Sequence, residues 1–246
     1  MTTQTGSMIL FLLTKASLLT TSAFAASDWD TRFSRGEAYE RAGRYEQAAQ
    51  EFEASLRAVP ADDVRLPVTW NNLGVTCREL GRTDDAERYY RLAIAYYEKH
   101  AGLEGSLATT LQNLAALDLT LGHLAQAEPL YRRAYAIRRR ILPADDPKIA
   151  DSLQGLAQLE HARRHYAVAE VCYREALAIR ETAPALHNYA MLLADTGRTA
   201  EARAAYERAL AIYQAAGPGH PSEAVVRRHL AELEVVAADA GTPVGQ

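Results

Sequence analysis

Residues 112–134 read QNLAALDLTLGHLAQAEPLYRRA, and the spacing inside this stretch decides the fold. Ala115 is followed after twelve residues by Ala127, and Gly122 lies between these two alanines. Tyr131 follows Ala127 after four residues, and Ala134 follows Tyr131 after three. Residues three and four apart share one face of a helix. A glycine takes positive φ without strain, which ends a helix and reverses the chain. The stretch therefore predicts two antiparallel helices packed across a turn at Gly122.

The same pattern occurs five times along the chain. A small residue, a turn, an alanine and an aromatic residue follow one another in each copy. The small residues are Gly36, Gly74, Ala115, Ala157 and Ala190, the turns are Gly43, Gly81, Gly122, Arg164 and Gly197, and the aromatic residues are Phe52, Tyr90, Tyr131, Tyr173 and Tyr206. A repeated helix pair buries its face only against the next pair, so we predict an all-α solenoid.

Five helix pairs and one closing helix account for most of the chain. The predicted repeats lie near residues 29–62, 67–100, 108–141, 150–182 and 183–216. One further helix is predicted over residues 222–240, with an apolar stripe at Leu230, Leu233 and Val236. We expect it to cover the fifth repeat, because the last unit of a solenoid has no following neighbour. Residues 241–246 are predicted to be a disordered tail.

Two stretches resemble a known family of repeats. Trp70-Asn71-Asn72-Leu73-Gly74, followed by Ala86, Tyr90 and Ala93, is similar to the tetratricopeptide repeat (TPR) motif. Residues 112–134, with the Pro-bearing connection 142–147, resemble the longer repeats of kinesin light chain and its bacterial relatives. The resemblance covers residues 29–240 and implies a right-handed α-solenoid of about five TPR helix-turn-helix pairs plus a C-terminal capping helix. The chain departs from the family pattern at Arg35 and at Arg164, which replaces the turn glycine.

Composition fits a folded chain without a dominant charge. The sequence has 246 residues, of which 48% are hydrophobic and 24% charged, which excludes a disordered chain. There are 27 basic and 31 acidic residues, a net charge of −4, so no overall basic field attracts nucleic acid or anionic membranes. Cys77 and Cys172 form no CxxC pair, and we interpret both as small buried residues.

The first 25 residues are interpreted as a targeting segment. The apolar run Met8-Ile-Leu-Phe-Leu-Leu13 precedes the small-x-small sequence Ala23-Phe24-Ala25 and resembles a secretory signal peptide. The run is too short to span a bilayer, so we expect no stable membrane anchor. The predicted protein is bacterial, begins at Ala26 and is secreted or periplasmic. Because Lys15 interrupts the segment and no basic residue precedes it, a cytoplasmic protein with a misplaced start is the alternative.

The sequence contains no motif for catalysis or cofactor binding. Phosphate-loop, dinucleotide-binding and nucleophile-elbow patterns are missing, so we predict neither an enzyme nor a cofactor. His161 and His165 have the spacing of two metal ligands but lack the accompanying glutamate, and we interpret them as surface histidines with no metal. The arginines at 132–133 and 138–140 are interpreted as a solvated face, and no nucleic acid is expected.

The first helix of each pair carries columns of side chains that lie in register. The TPR resemblance implies that this helix lines the concave side and that amides there hold an extended partner. A primary amide offers a donor and an acceptor, which matches a peptide group. The alternative is that these amides bond within the scaffold. The predicted partner-binding residues are Asn71, Asn72, Gln112, Asn113, Gln154, His187 and Asn188, with Gly155 interrupting the column of Asn72, Asn113 and Asn188.

Neighbouring positions extend the predicted groove. They include Gln158 and Met191 in one column, and Leu119 and His161 in the next. The lysines, at 15, 99 and 148, fall outside these columns, so we expect no clamp for a terminal carboxylate. The sequence predicts a non-catalytic scaffold that binds a protein or peptide segment. The alternatives are a structural or oligomerising subunit of a larger assembly and, less favoured, a regulatory nucleic-acid-associated protein.

Overall fold

The computed structural model describes residues 28–217 and 221–241, and every regular element in these ranges is a helix. The predicted signal peptide, 1–25, and residues 242–246 of the predicted tail lie outside them. The helices are α1 (28–41), α2 (Tyr45–Arg57), α3 (Leu66–Glu79), α4 (Thr83–Lys99), α5 (Glu104–Thr120), α6 (Leu124–Ile141), α7 (Pro147–Ala162), α8 (Tyr166–Ile179), α9 (Ala183–Asp195), α10 (Thr199–Ala216) and α11 (Pro221–Gly241). Each predicted repeat therefore contains one helix pair, and α11 follows the fifth pair.

The turns inside the helix pairs share one backbone conformation. The turn glycines 43, 81, 122 and 197 have φ between 70° and 77°, and Arg164 takes the same region with φ 61°. At the connections between pairs, Asp146 caps α7 by accepting a hydrogen bond from Lys148 N at 2.8 Å, and Thr182 caps α9. Two helices begin a few residues before the predicted repeat starts, α5 at Glu104 and α7 at Pro147. For α7 the reason is the capping Asp146 and the proline at its first position.

The chain divides into two compact units, residues up to Leu117 and residues from Asp118 onward, and the division falls within α5. In unit 1, α1 is tied to α3 by the indole N–H of Trp29, which donates to Thr69 Oγ1 at 3.1 Å. A Cβ at Gly74 would lie 2.4 Å from the ring of Tyr90, so glycine lets α4 approach α3 closely. The small and aromatic columns of the sequence thus mark this helix contact.

In unit 2, the last three helices share one apolar core. Tyr206 and Tyr213 of α10 pack with Leu186 of α9 and with Val226 and Leu233 of α11. Leu230 is partly buried against the same cluster, and the side chain of Val236 lies outside the described part. The last helix therefore covers the fifth pair.

One buried cation links the third pair to the fourth. Arg138, near the end of α6, donates to Lys148 O at 3.0 Å and to Ser152 Oγ at 2.8 Å. Burial lowers the pKa of its guanidinium. The sequence analysis assigned Arg138 to a solvated face, and this was wrong because the side chain lies in the contact between α6 and α7.

Neither cysteine is in a disulfide: Cys77 is buried and Cys172 half-buried, and burial raises the pKa of both thiols. Among the described helices, none combines the length and the apolar character needed to cross a bilayer.

Candidate functional site

In unit 1, the predicted amides take part in hydrogen bonds between two helices. Asn113 Nδ2 of α5 donates to Asn71 Oδ1 of α3 at 3.0 Å, and Thr110 Oγ1 donates to the same oxygen at 3.0 Å. Asn71 Nδ2 lies 3.4 Å from Asn72 Oδ1. All of the predicted amides of this unit, Gln112 among them, are half-buried. The scaffold alternative is therefore realised at Asn71 and Asn113, although Asn113 uses only one of its two N–H groups on this bond.

In unit 2, the amide column is interrupted because an aromatic ring occupies the space. A Cβ at Gly155 would lie 2.5 Å from Cε1 of Tyr131, and Tyr131 is itself buried. This contact joins α7 to the preceding helix pair. Sequence spacing gave no sign of it, because Tyr131 belongs to the repeat before Gly155.

The other predicted residues of unit 2 separate into different environments. Asn188 lines a cavity, whereas Gln154 and His187 line neither of the two cavities of this unit described below. The His187 ring packs against Tyr206 and His229, with ring centroids 5.6 Å and 5.0 Å away. Burial, and then the neighbouring His229, lowers the pKa of His187.

The first cavity of unit 2 has a volume of about 450 Å³ and lies between α7, α8 and α9. Its walls include five residues of the predicted groove columns: Leu119, Gln158, His161, Asn188 and Met191. The sequence analysis missed its other lining residues, Ala162, Arg164, Tyr166, Tyr173 and Asp195. Asp195 lies four residues after Met191, so helical periodicity was the signal that would have found it.

Two polar features distinguish the first cavity. His161 Nε2 and Asp195 Oδ2 are 2.8 Å apart, which ties α7 to α9, and the Asp195 side chain is still 57% exposed. Tyr173 is fully buried and its hydroxyl has no hydrogen-bond partner in the described part of the chain. Burial raises the pKa of Tyr173, so the hydroxyl keeps its proton.

A second cavity, of about 330 Å³, adjoins the first. The two cavities share Met191 and Asp195, so they form a continuous surface along α9. We call this surface the unit 2 groove. The lining residues of the second cavity are Met191, Ala194, Asp195, Gly197, Thr199, Tyr206, His229, Glu232 and Leu233.

The histidines named in the sequence have separate carboxylate partners. His161 is bound to Asp195, while His165 Nδ1 lies 2.7 Å from Glu160 Oε2. Within the described residues, no three His, Cys, Asp or Glu side chains come together in a way that would hold a metal ion.

The comparisons with known proteins identify the repeats. The profile described as Tetratricopeptide repeat matches residues 30–99, 65–140, 106–182 and 181–238, and the chain belongs to this family. The predicted family and the TPR α-solenoid fold are thereby confirmed. Repeats of this family generally mediate protein–protein interaction and scaffolding. No curated protein matches the sequence.

Solved structures share the fold at low sequence identity. BtubC (BKLC) from P. vanneervenii is 21% identical, with 83% of this chain and 94% of that chain covered and a TM-score of 0.62. A thermophilic TPR protein of Thermus thermophilus is 22% identical, with coverages of 84% and 99% and a TM-score of 0.63. Nearly identical TPR-like repeats of Podosopora anserina, named after kinesin light chain, are 18% identical, with coverages of 74% and 93% and a TM-score of 0.61.

Proposed function

We propose that this protein is a non-catalytic scaffold that binds an extended segment of a partner protein in the unit 2 groove. The observation that carries the proposal is the continuity of two cavities along α9, lined by residues of the columns that the sequence placed in a groove. Two adjoining cavities accommodate successive side chains of an extended segment, whereas a small compact ligand would fill only one.

The first cavity offers groups for a peptide backbone. The amides of Asn188 and Gln158 line it, and each provides both a donor and an acceptor. These groups recognise the main chain and leave side-chain preference to the rest of the groove. Asn72 and Asn113 remain predicted contacts in unit 1, although the bond from Asn113 to Asn71 makes Asn113 part of the scaffold as well.

The experiment is affinity capture of partners from the native organism, followed by binding titrations of the captured partner. Asn188→Ala removes one neutral hydrogen-bonding group and should weaken binding about two- to tenfold, with the melting temperature unchanged. Gln126→Ala removes an exposed amide of α6 that lines neither cavity and should bind as wild type.

Asn113→Ala serves as a second control, because it should lower the melting temperature through loss of the bond to Asn71. A partner that binds wild type and Asn188→Ala equally well contradicts the proposal. Capture of nothing but further copies of the chain would instead indicate the oligomerising subunit.

A further inference from the structure

The second cavity carries two carboxylates around an aromatic ring. Asp195 and Glu232 line it together with Tyr206, and their side chains are 57% and 63% exposed. Burial, and after it the charges of Asp195 and Glu232, raises the pKa of Tyr206 to about 12. Met191 and Leu233 add apolar walls. The cavity thus combines negative charge with apolar and aromatic surface.

The cations near these carboxylates leave them available to a ligand. Among the described residues that line the second cavity, none is a lysine or an arginine. Arg228 Nε lies 3.8 Å from Glu232 Oε1 with both side chains well exposed, a pair that contributes little. Asp195 uses Oδ2 on His161, which leaves Oδ1 for another donor. Arg164, by contrast, lines the first cavity, which shares Asp195 with the second cavity but does not include Glu232.

We propose that the unit 2 groove recognises a partner segment through a lysine or arginine side chain, which enters the second cavity between Asp195 and Glu232. This inference rests on the proposed function, since it names the chemistry of the segment that the same groove binds. The aliphatic stem of the basic side chain contacts Met191 and Leu233, while its charged end meets the carboxylates.

The segment is fixed at two points. Its backbone is held in the first cavity by the amides of Asn188 and Gln158, and the basic side chain follows in the second cavity. Because Arg164 lies at the first cavity, a basic side chain there would meet a like charge, and the second cavity is the favourable place for it. Recognition of a basic side chain by carboxylates also excludes a terminal carboxylate at this position.

The test selects binders from a display library of random nine-residue peptides on the full chain. We expect the selected peptides to share one lysine or arginine at a fixed position. Replacing that residue with methionine in a synthetic copy should weaken binding about ten- to a hundredfold, as should the double variant Asp195→Asn/Glu232→Gln of the protein. Asparagine keeps an oxygen for His161, and Glu207→Gln, an exposed acid of α10 outside the groove, is the matched control.

The outcomes separate the two proposals. Peptides selected without a basic residue, or bound equally well by the double variant and wild type, overturn the inference. The proposed function survives that result if Asn188→Ala still weakens peptide binding. If no peptide is selected, or if none depends on Asn188, both the inference and the proposed function are wrong. Melting curves of each variant show whether a loss of binding reflects a loss of fold.

Discussion

Gly155→Ala sets two opposed effects against each other in the middle of α7. Alanine in place of glycine in a helix stabilises it by about 1 kcal/mol through helix propensity. The new Cβ, however, would lie 2.5 Å from Cε1, 2.8 Å from Cδ1 and 3.2 Å from Cζ of Tyr131. Tyr131 is only 1% exposed, so its ring has little room to move. Overpacking of this kind costs about 1–3 kcal/mol. Since the propensity gain offsets about 1 kcal/mol of this, we expect a net loss of up to about 2 kcal/mol in the free energy of unfolding.

Urea unfolding followed by circular dichroism measures the net effect, and a double-mutant cycle isolates the contact. In a Tyr131→Leu background the ring atoms Cε1 and Cζ are gone, so Gly155→Ala should lose most of its cost there and show its propensity gain. Hydrogen exchange should place the loosening in α6 and α7, the two helices that meet at this contact. A gain of about 1 kcal/mol for Gly155→Ala in both backgrounds would refute the close-packing account of the interrupted column.

Two further predictions concern the closing helix. Lowering the pH from about 7 to 5 should loosen α11, because the ring of His187 packs against His229 of that helix. The fold depresses the pKa of His187, so the stability that its neutral form contributes above the ordinary pKa of about 6.5 is lost as the pH falls through the folded value. Melting curves of wild type and of a His187→Gln variant across this pH range test the prediction. An unchanged pH dependence in the variant would show that another group is responsible. Truncation after Gly217 removes Val226 and Leu233, which cover α9 and α10 and contribute about 1.5–3 kcal/mol each at full burial. Hydrogen-exchange protection should therefore fall in α9 and α10 but not in α3 and α4. Unchanged protection over residues 200–216 would contradict it.

Repetition made the helix pairs predictable. Each column tests the same spacing five times, so helices, turns and the small-to-aromatic contacts such as Gly74 with Tyr90 were readable from sequence. The turn without a glycine was also predicted, since Arg164 takes the left-handed conformation of the glycine it replaces. Periodicity also grouped Asn188, Gln158 and Met191, which line one cavity, because residues on one helix face keep their register without tertiary information.

Contacts between repeats were not predictable in the same way. The bond from Asn113 to Asn71 joins residues 42 positions apart, and whether two amides face each other or the solvent depends on how closely the helices approach. The burial of Arg138 and the packing of the Tyr131 ring over Gly155 also depend on how closely neighbouring helices approach. A one-dimensional pattern records which face a residue occupies, but the neighbouring pair decides how much room remains on that face.

One departure from the repeat pattern, Arg164, contributes to the charge of the unit 2 groove. Four turns use glycine in the left-handed region, while Arg164 holds a side chain there, a conformation that costs about 1–2 kcal/mol for a residue with a Cβ. That residue lines the first cavity, and Glu232 lines the second. The first cavity therefore has a cation and the neutral amides of Gln158 and Asn188, Asp195 lies where the two cavities meet, and Glu232 adds a carboxylate in the second. Amides match a backbone in either direction, so in the proposed complex the charge difference between the ends sets the direction of the bound segment.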